Sequence, residues 1–261
     1  MDDVTLDVND GIATVTLDNP DMRNALTSGV ATDLIAAMDE IPDEARCVVL
    51  TGAGSTFCAG GDIDAMVEGL EGDNPAHERV QRIVEETAGA VRAVATCDLP
   101  TVAKIHGPAY GAGGALAVAC DVLLASESAS ISFGFRQVGL NVDSGASQFL
   151  PRLVGENLAK ELLFTGELIE ARRAAEIGLF NHVYDDEEFD EQVAATAERI
   201  ATGPTVALKQ SKRLVEQGLT SSLDEAIENE AAAQIVSAST DDHGEGVRAF
   251  VERRDPEFDG A

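Results

Sequence analysis

Hydrophobic and polar residues alternate over two short runs at the start of the chain, 4–8 and 12–17, on either side of Asn9-Asp10-Gly11. Alternation with a period of two predicts strands, and the Asn-Asp-Gly turn between them predicts a hairpin. Apolar residues then recur at helical spacing over 28–41. Short, mainly apolar runs predict buried strands at 47–50 and 101–105 and further strands at 122–125 and 131–133.

The pattern becomes helical towards the second half of the chain. A long amphipathic stretch, 77–96, follows the break at 72–75, and from Leu158 onward helical spacing is interrupted mainly at 181–184 and 203–204. Strand-strand-helix units followed by helices predict an α/β fold. Because no long linker occurs, we expect one domain, with a core over 1–200 and a C-terminal helical segment over 201–261.

Two glycine-dense segments, 57–63 and 107–114, each follow an apolar run that is predicted to be a strand. Glycine and alanine leave backbone N–H groups uncovered, so two such turns that meet in space can aim two donors at one carbonyl oxygen. This arrangement stabilises an oxyanion and suits thioester chemistry. The alternative is a pair of tight strand-to-helix turns that bind nothing.

The two segments and their spacing resemble those of the crotonase superfamily, the enoyl-CoA hydratase/isomerase fold, and the resemblance runs from about Val4 to Phe258. It implies a crotonase-like β-β-α spiral core with a C-terminal helical trimerisation region, assembled as a homotrimer or a dimer of trimers. It also implies an acyl-CoA thioester substrate, with CoA arriving as part of the substrate and no bound cofactor. The N–H groups of Gly61 and Ala112 match the oxyanion-hole donors of the family.

Hydratases of this superfamily use two glutamates, and neither is found at the matching positions, where Ala115 and Phe135 stand. Asp143 instead matches the position at which isomerase branches, including 1,2-epoxyphenylacetyl-CoA and dienoyl-CoA isomerases, carry a catalytic acid. The run 107–155 most resembles the epoxyphenylacetyl-CoA type. One carboxylate suffices to move a proton between carbons near a thioester. The alternative is that Asp143 caps a helix predicted to begin near Ser144.

The resemblance therefore implies an enoyl-CoA isomerase that works through an oxyanion-stabilised enolate. One alternative is an enoyl-CoA hydratase whose acid/base function has moved to Asp143 or another carboxylate. Another is a trimer that binds CoA thioesters without catalysis. Of the other polar residues near the glycine segments, Asp62 is expected mainly to fix its turn, and His106 to be a packed side chain rather than a base.

The resemblance also assigns substrate and CoA contacts to five parts of the chain. The residues are Arg23, Ala25, Ala59, Gly60, Gly61, Asp62, Ile63, Tyr110, Gly111, Ala112, Phe135, Phe250 and Arg253. The last two lie in a closing helix that often reaches a neighbouring subunit. For the basic pair Arg253-Arg254, an ion pair with Glu252 or Glu257 is the alternative to a phosphate contact.

The net charge is extreme, because 47 acidic residues face 18 basic ones, which gives −29. Repulsion argues against nucleic acid and anionic membranes as partners. The acids are dispersed and arginine outnumbers lysine, which favours adaptation to high salt over an ordinary acidic protein. The spacings of the four cysteines and four histidines predict neither disulfides nor a metal site. No targeting or membrane-spanning run is evident, so we expect a cytoplasmic protein.

Overall fold

The structure, a computed structural model, describes residues 1–72 and 75–261. Within these stretches the strands are β1 Val4–Asn9, β2 Ile12–Leu17, β3 Cys47–Gly52, β4 Thr101–Ile105, β5 Pro108–Tyr110, β6 Val122–Ser126, β7 Ser130–Ser132, β8 Ile169–Glu170 and β9 His182–Tyr184. The helices are α1 Ser28–Asp39, α2 Ile63–Glu71, α3 Ala76–Glu85, α4 Thr87–Ala95, α5 Ala112–Val118, α6 Ala146–Val154, α7 Glu156–Thr165, α8 Ala171–Glu176, α9 Phe189–Ala201, α10 Thr205–Gly218, α11 Leu223–Ala238 and α12 Asp241–Glu252.

The strands form two sheets. The larger has the order β1-β2-β3-β4-β6-β9, in which β1 and β2 are the predicted antiparallel hairpin and the other neighbours are parallel. The smaller has the order β5-β7-β8. Parallel bridges join Leu26 to Gly61 and Cys58 to Ala109, so the first glycine segment runs beside β5. The two bridges thus bring the first glycine segment next to two parts of the chain that are distant in sequence, at Leu26 and at Ala109 in β5.

Helices cover both faces of the larger sheet. One core cluster includes buried residues of α1, α4 and α5, and a second packs α9 against the opposite face through Phe189, Val193 and Ala197. All seven residues of α5 are buried. Because they are mostly alanine and glycine, the backbone of α5 can lie close to the sheets and to α6.

Two of the predicted helices differ from the structure. The amphipathic stretch 77–96 is two helices, α3 and α4, broken at Glu86, whose φ and ψ are both −92°. The helix expected near Ser144 begins at Ala146, because Ser144 and Gly145 have left-handed φ values of 51° and 78°. The break predicted at 72–75 includes Asp73 and Asn74, which lie outside the described residues.

The three C-terminal helices bury few side chains of the subunit. Thr205 of α10, Ala233 of α11, and Asp242 and Ala249 of α12 are the buried residues of these helices. Several large apolar side chains of the same region are exposed, including Val215, Leu219, Leu223, Ile235, Phe250 and Val251. In the stretches that the structure describes, no helix has the length and apolar composition needed to cross a membrane.

Candidate active site

The two glycine segments meet, as the sequence predicts. The N–H of Tyr110 donates to the carbonyl of Cys58 over 2.9 Å, and the N–H of Cys58 donates to Pro108 over 3.2 Å. A Cβ atom on Gly60 would overlap the carbonyl oxygen of Tyr110 and lie 3.4 Å from the nitrogen of Ala112. Gly60 also has a φ of +96°, which few other residues adopt. The turn therefore requires glycine for both space and conformation.

The hydrogen bonds of the neighbouring carbonyls orient the two predicted donors. The Gly60 carbonyl accepts from the N–H of Leu26 over 2.7 Å, so in a trans peptide the N–H of Gly61 points the opposite way. Ala112 is the first residue of α5, where an N–H has no acceptor within the helix. In the described parts of the chain, neither N–H donates to a protein acceptor. Both are free to bind a carbonyl oxygen of a ligand.

Asp143 lies in the loop between the 3-10 turn Gly134–Val138 and α6, which packs on α5. Its carboxylate accepts a hydrogen bond from Ser144 Oγ over 2.9 Å. Burial raises the pKa of Asp143 above its ordinary value, and the Ser144 hydrogen bond partly offsets this rise. The N-cap residue of α6 is Gly145, and within the described residues the Asp143 carboxylate accepts only from Ser144 Oγ and from no N–H of the first turn of the helix. The capping alternative is therefore wrong.

The two positions at which hydratases carry glutamates are buried and apolar. Ala115 is fully buried in α5, and Phe135 is buried in the adjoining 3-10 turn. The ring of Tyr110 packs against the backbone of Gly134, the residue before Phe135. No carboxylate stands at either of these two positions, and Asp143 remains the carboxylate that the sequence resemblance assigns to the reaction.

The segment around Arg23 lies beside the first glycine segment. The carbonyl of Arg23 accepts from the N–H of Ala59 over 3.0 Å, and Ala25 is buried. Sequence reasoning missed Asn24, which is fully buried and donates from Nδ2 to the carbonyls of Ala53 and Thr56 over 2.9 and 2.7 Å. These bonds hold the neighbouring, exposed Arg23 next to the site. The sequence signal that could have indicated Asn24 is the tolerance of asparagine for positive φ, which is 56° here.

Other polar residues near the site have structural contacts. Asp62 caps α2 by accepting from the N–H of Ala65 over 3.0 Å, which confirms its expected role in the turn, and Ile63 follows it, exposed. His106 Nε2 lies 3.0 Å from the carbonyl of Gly54, and burial lowers its pKa. It is a packed side chain, as predicted. Among the described residues, no three His, Cys, Asp or Glu side chains are grouped so as to hold a metal.

The structure does not bring the two C-terminal candidates to the glycine segments of the same subunit. Phe250 is 86% exposed and lines a groove of about 640 Å³ between α10, α11 and α12, to which the glycine segments contribute no residue. Arg253 is exposed at the end of α12. Its neighbour Arg254 forms surface ion pairs, with Glu252 as one of the two expected partners and with Glu245 in place of Glu257.

Comparison with known proteins places this geometry in context. The chain matches the family model described as enoyl-CoA hydratase/isomerase over residues 7–261. It is 35% identical over 258 residues to a Rhodobacter capsulatus protein named probable enoyl-CoA hydratase, with 98% of each chain covered. It is 31% identical to the 1,2-epoxyphenylacetyl-CoA isomerase of Escherichia coli, covering 100% of this chain and 99% of the relative. The enoyl-CoA hydratase structure from Bacillus anthracis superimposes with a TM-score of 0.92 at 31% identity, covering 99% and 100% of the two chains.

Proposed function

The chain belongs to the enoyl-CoA hydratase/isomerase family, and from this premise we propose that it is an enoyl-CoA isomerase with Asp143 as its general acid/base. The expected crotonase fold is confirmed by the structural relatives. The observation that carries the proposal is the half-buried carboxylate of Asp143 on the loop that leads into α6. Buried apolar residues, Ala115 and Phe135, stand at the two positions where a hydratase has glutamates.

The reaction moves one proton between two carbons of an acyl-CoA thioester. The Asp143 carboxylate takes the proton from a carbon near the thioester, and the electron pair left behind shifts to the thioester oxygen as an enolate. The N–H groups of Gly61 and Ala112 stabilise that oxygen. Protonated Asp143 then returns the proton to a different carbon, which completes the shift. A raised pKa makes this carboxylate a stronger base than an exposed one.

A hydratase is the second candidate, because more of the named relatives are hydratases than isomerases. Hydration needs a group that positions a water and a group that donates a proton to carbon, and it adds an oxygen atom to the product. Reaction of a 2-enoyl-CoA or 3-enoyl-CoA in ¹⁸O-labelled water separates the two activities. Isomerisation leaves the label in the solvent, whereas hydration incorporates it. Absence of turnover with every enoyl-CoA tested would favour the non-catalytic thioester binder.

Replacement of Asp143 by asparagine tests the assignment, because the amide keeps the shape of the side chain but cannot accept the proton. We expect D143N to lose turnover of a 3-enoyl-CoA or epoxyphenylacetyl-CoA by about a hundred- to ten-thousand-fold, with acyl-CoA affinity nearly unchanged. The thermal midpoint at neutral pH should not fall. A carboxyl whose folded pKa is raised contributes stability below its ordinary pKa of 3.8 and loses it as pH rises through the folded value.

The matched control is D64N, which removes the same charge from an exposed position on the nearby helix α2 and should leave turnover unchanged. The measurement is the steady-state rate for each variant, together with equilibrium binding of the acyl-CoA. Turnover of D143N within a factor of about three of the wild type would remove Asp143 from the reaction.

We further propose a homotrimer or a dimer of trimers in which Phe250 and Arg253 reach the CoA of a neighbouring subunit. Two observations support this assembly. The α10–α12 region exposes large apolar side chains that a partner could cover, and Phe250 lies away from the glycine segments of its own subunit. Arg253 forms no ion pair within the described residues, so its guanidinium is available to a phosphate.

A further inference from the structure

We propose that Ser144 is a positioning residue for the reaction, which holds Asp143 through Oδ1 and leaves Oδ2 to exchange the proton with the substrate. The inference rests on the proposed function, because it requires Asp143 to be the acid/base. In this proposal Ser144 does not contact the reacting carbons. Its role is to fix the orientation and basicity of the carboxylate beside it.

The contact between the two side chains is specific and shielded. Ser144 Oγ donates to Asp143 Oδ1 over 2.9 Å, and Ser144 is only 5% exposed. Water therefore competes weakly for the hydroxyl. In the described residues, Oδ2 of Asp143 receives no hydrogen bond. The two oxygens are thus distinguished by the protein, and the free one is the candidate for proton transfer.

The backbone at Ser144 is unfavourable for any residue that has a Cβ. Its φ is +51°, and Gly145 follows at +78°, so two left-handed residues turn the chain and the Asp143 carbonyl accepts from the N–H of Ala146 over 3.1 Å. A left-handed conformation costs a non-glycine residue about 1 kcal/mol or more. Glycine would satisfy this backbone more easily than serine. The hydroxyl, which bonds to Asp143, accounts for a serine at this position.

Charged side chains line a cavity together with Ser144, namely Arg92, Asp121, Arg152 and Glu216, but none of them influences the pKa of Asp143. Helix α5 carries no titratable group, Arg136 of the preceding turn donates to the Thr165 carbonyl over 3.0 Å, and Arg152 lies further along α6. Tyr110 packs on Gly134. Burial and the Ser144 hydrogen bond are the influences on the pKa of Asp143, with opposite signs. Removal of the hydroxyl should therefore shift this pKa in one direction, upward.

The experiment compares S144A and S144G, with S147A as the matched control on the exposed face of α6. Both Ser144 variants remove the hydroxyl, but glycine also relaxes the left-handed backbone. We expect each to lower kcat about tenfold with little change in KM. The acid limb of the kcat profile, set by ionisation of Asp143, should move to higher pH in both, since a lost hydrogen bond to the carboxylate favours the neutral form. S147A should match the wild type.

Four results would overturn the inference. One is an S144G enzyme with the wild-type kcat and the wild-type acid limb, which would assign any S144A defect to the backbone. A second is a lower thermal midpoint with a reduced kcat but an unmoved acid limb in both variants, which indicates a structural role. The third is a D143N enzyme that retains turnover, which removes the proposed function as well. An inactive D143N with normal Ser144 variants would refute the positioning role alone.

Discussion

Gly113 shows how the meeting of two backbone segments restricts a single residue. Its φ lies outside the left-handed region, so conformation does not require glycine there. The limit is space, because a Cβ would overlap the carbonyl oxygen of Cys58 in the first glycine segment. Any side chain at this position must push α5 away from that segment. The distance between the Gly61 and Ala112 donors depends on the same contact.

We predict that G113A lowers both stability and turnover. The forced shift should cost about 1–3 kcal/mol in the free energy of unfolding and reduce kcat/KM for an enoyl-CoA. Urea unfolding and steady-state kinetics measure the two effects. G69A is the control, because Gly69 lies within α2 with nothing within 4 Å of an added Cβ, and alanine there should stabilise by about 0.5–1 kcal/mol. Equal behaviour of the two variants would contradict the packing effect.

At the scale of single residues, the sequence predicted the positions that depend on local chemistry. The glycine-alanine composition of the two turns and the capping role of Asp62 are examples. It could not predict Asn24 as an anchor, because its partners Ala53 and Thr56 lie about thirty positions away. The Ser144 contact also escaped, since it depends on two left-handed residues rather than on a pattern.

Among the elements, buried strands were predicted well, because a short, continuous apolar run between turn residues is typical of a strand that is covered on both faces. The run 47–50 is an example, since β3 begins at Cys47 and extends to Gly52. The strand β2, which alternation predicts, and the strand β4 both have the predicted bounds. The apolar period of 77–96 continues across Glu86, so the pattern does not predict a division into two helices there. The break there accompanies a contact from another element, since Ser28 Oγ of α1 donates to the Glu86 carboxylate over 2.6 Å. Periodicity carries no information about such a tertiary contact.

Two polar side chains, the half-buried Arg46 and the buried Asp242, hold the last residues of the chain. We call this pair the C-terminal clasp. The Arg46 guanidinium donates to Thr205 Oγ1 and to the carbonyls of Gly203 and Phe258 over 2.5–3.1 Å. Asp242 is 3% exposed and accepts from the N–H groups of Asp259 and Gly260 over 2.8 and 3.0 Å. The clasp thereby ties α12, which buries little surface, to α10 and β3.

We predict that R46A lowers the free energy of unfolding by about 1.5–3 kcal/mol, because hydrogen bonds from a charged group to three acceptors are lost and the carbonyls remain partly buried. Chemical denaturation measures the change. R199A is the matched control, since Arg199 is exposed on α9 and makes no side-chain hydrogen bond within the described residues. If Phe250 and Arg253 bind CoA in the assembly, R46A should also raise KM. A stability equal to that of R199A would show that the clasp is dispensable.

For the whole molecule, the net negative charge opposes association of subunits, whereas the exposed apolar surface favours it. Even if every basic residue neutralised one acid, 29 acids would remain without a basic counterpart. The observed ion pairs are mostly at the surface, where each contributes little. The apolar side chains of α10–α12 favour association, whereas identical subunits each bring the same excess charge to an interface. High salt should therefore favour association of subunits, because it screens the charge without weakening apolar burial.

We therefore propose adaptation to high salt and predict that stability and assembly both depend on it. At about 1 M KCl the Debye length is roughly 3 Å, and at about 0.1 M it is roughly 10 Å, so dialysis restores repulsion between neighbouring carboxylates. The thermal midpoint, the sedimentation coefficient and the activity should fall together. Sucrose at matched osmolality is the control and should not replace the salt, because it is uncharged.

A monomer that is active in molar KCl would refute a CoA site completed by a neighbour. A constant midpoint would mean that the acids are locally paired or far apart, and it would refute the salt adaptation while leaving the family assignment intact.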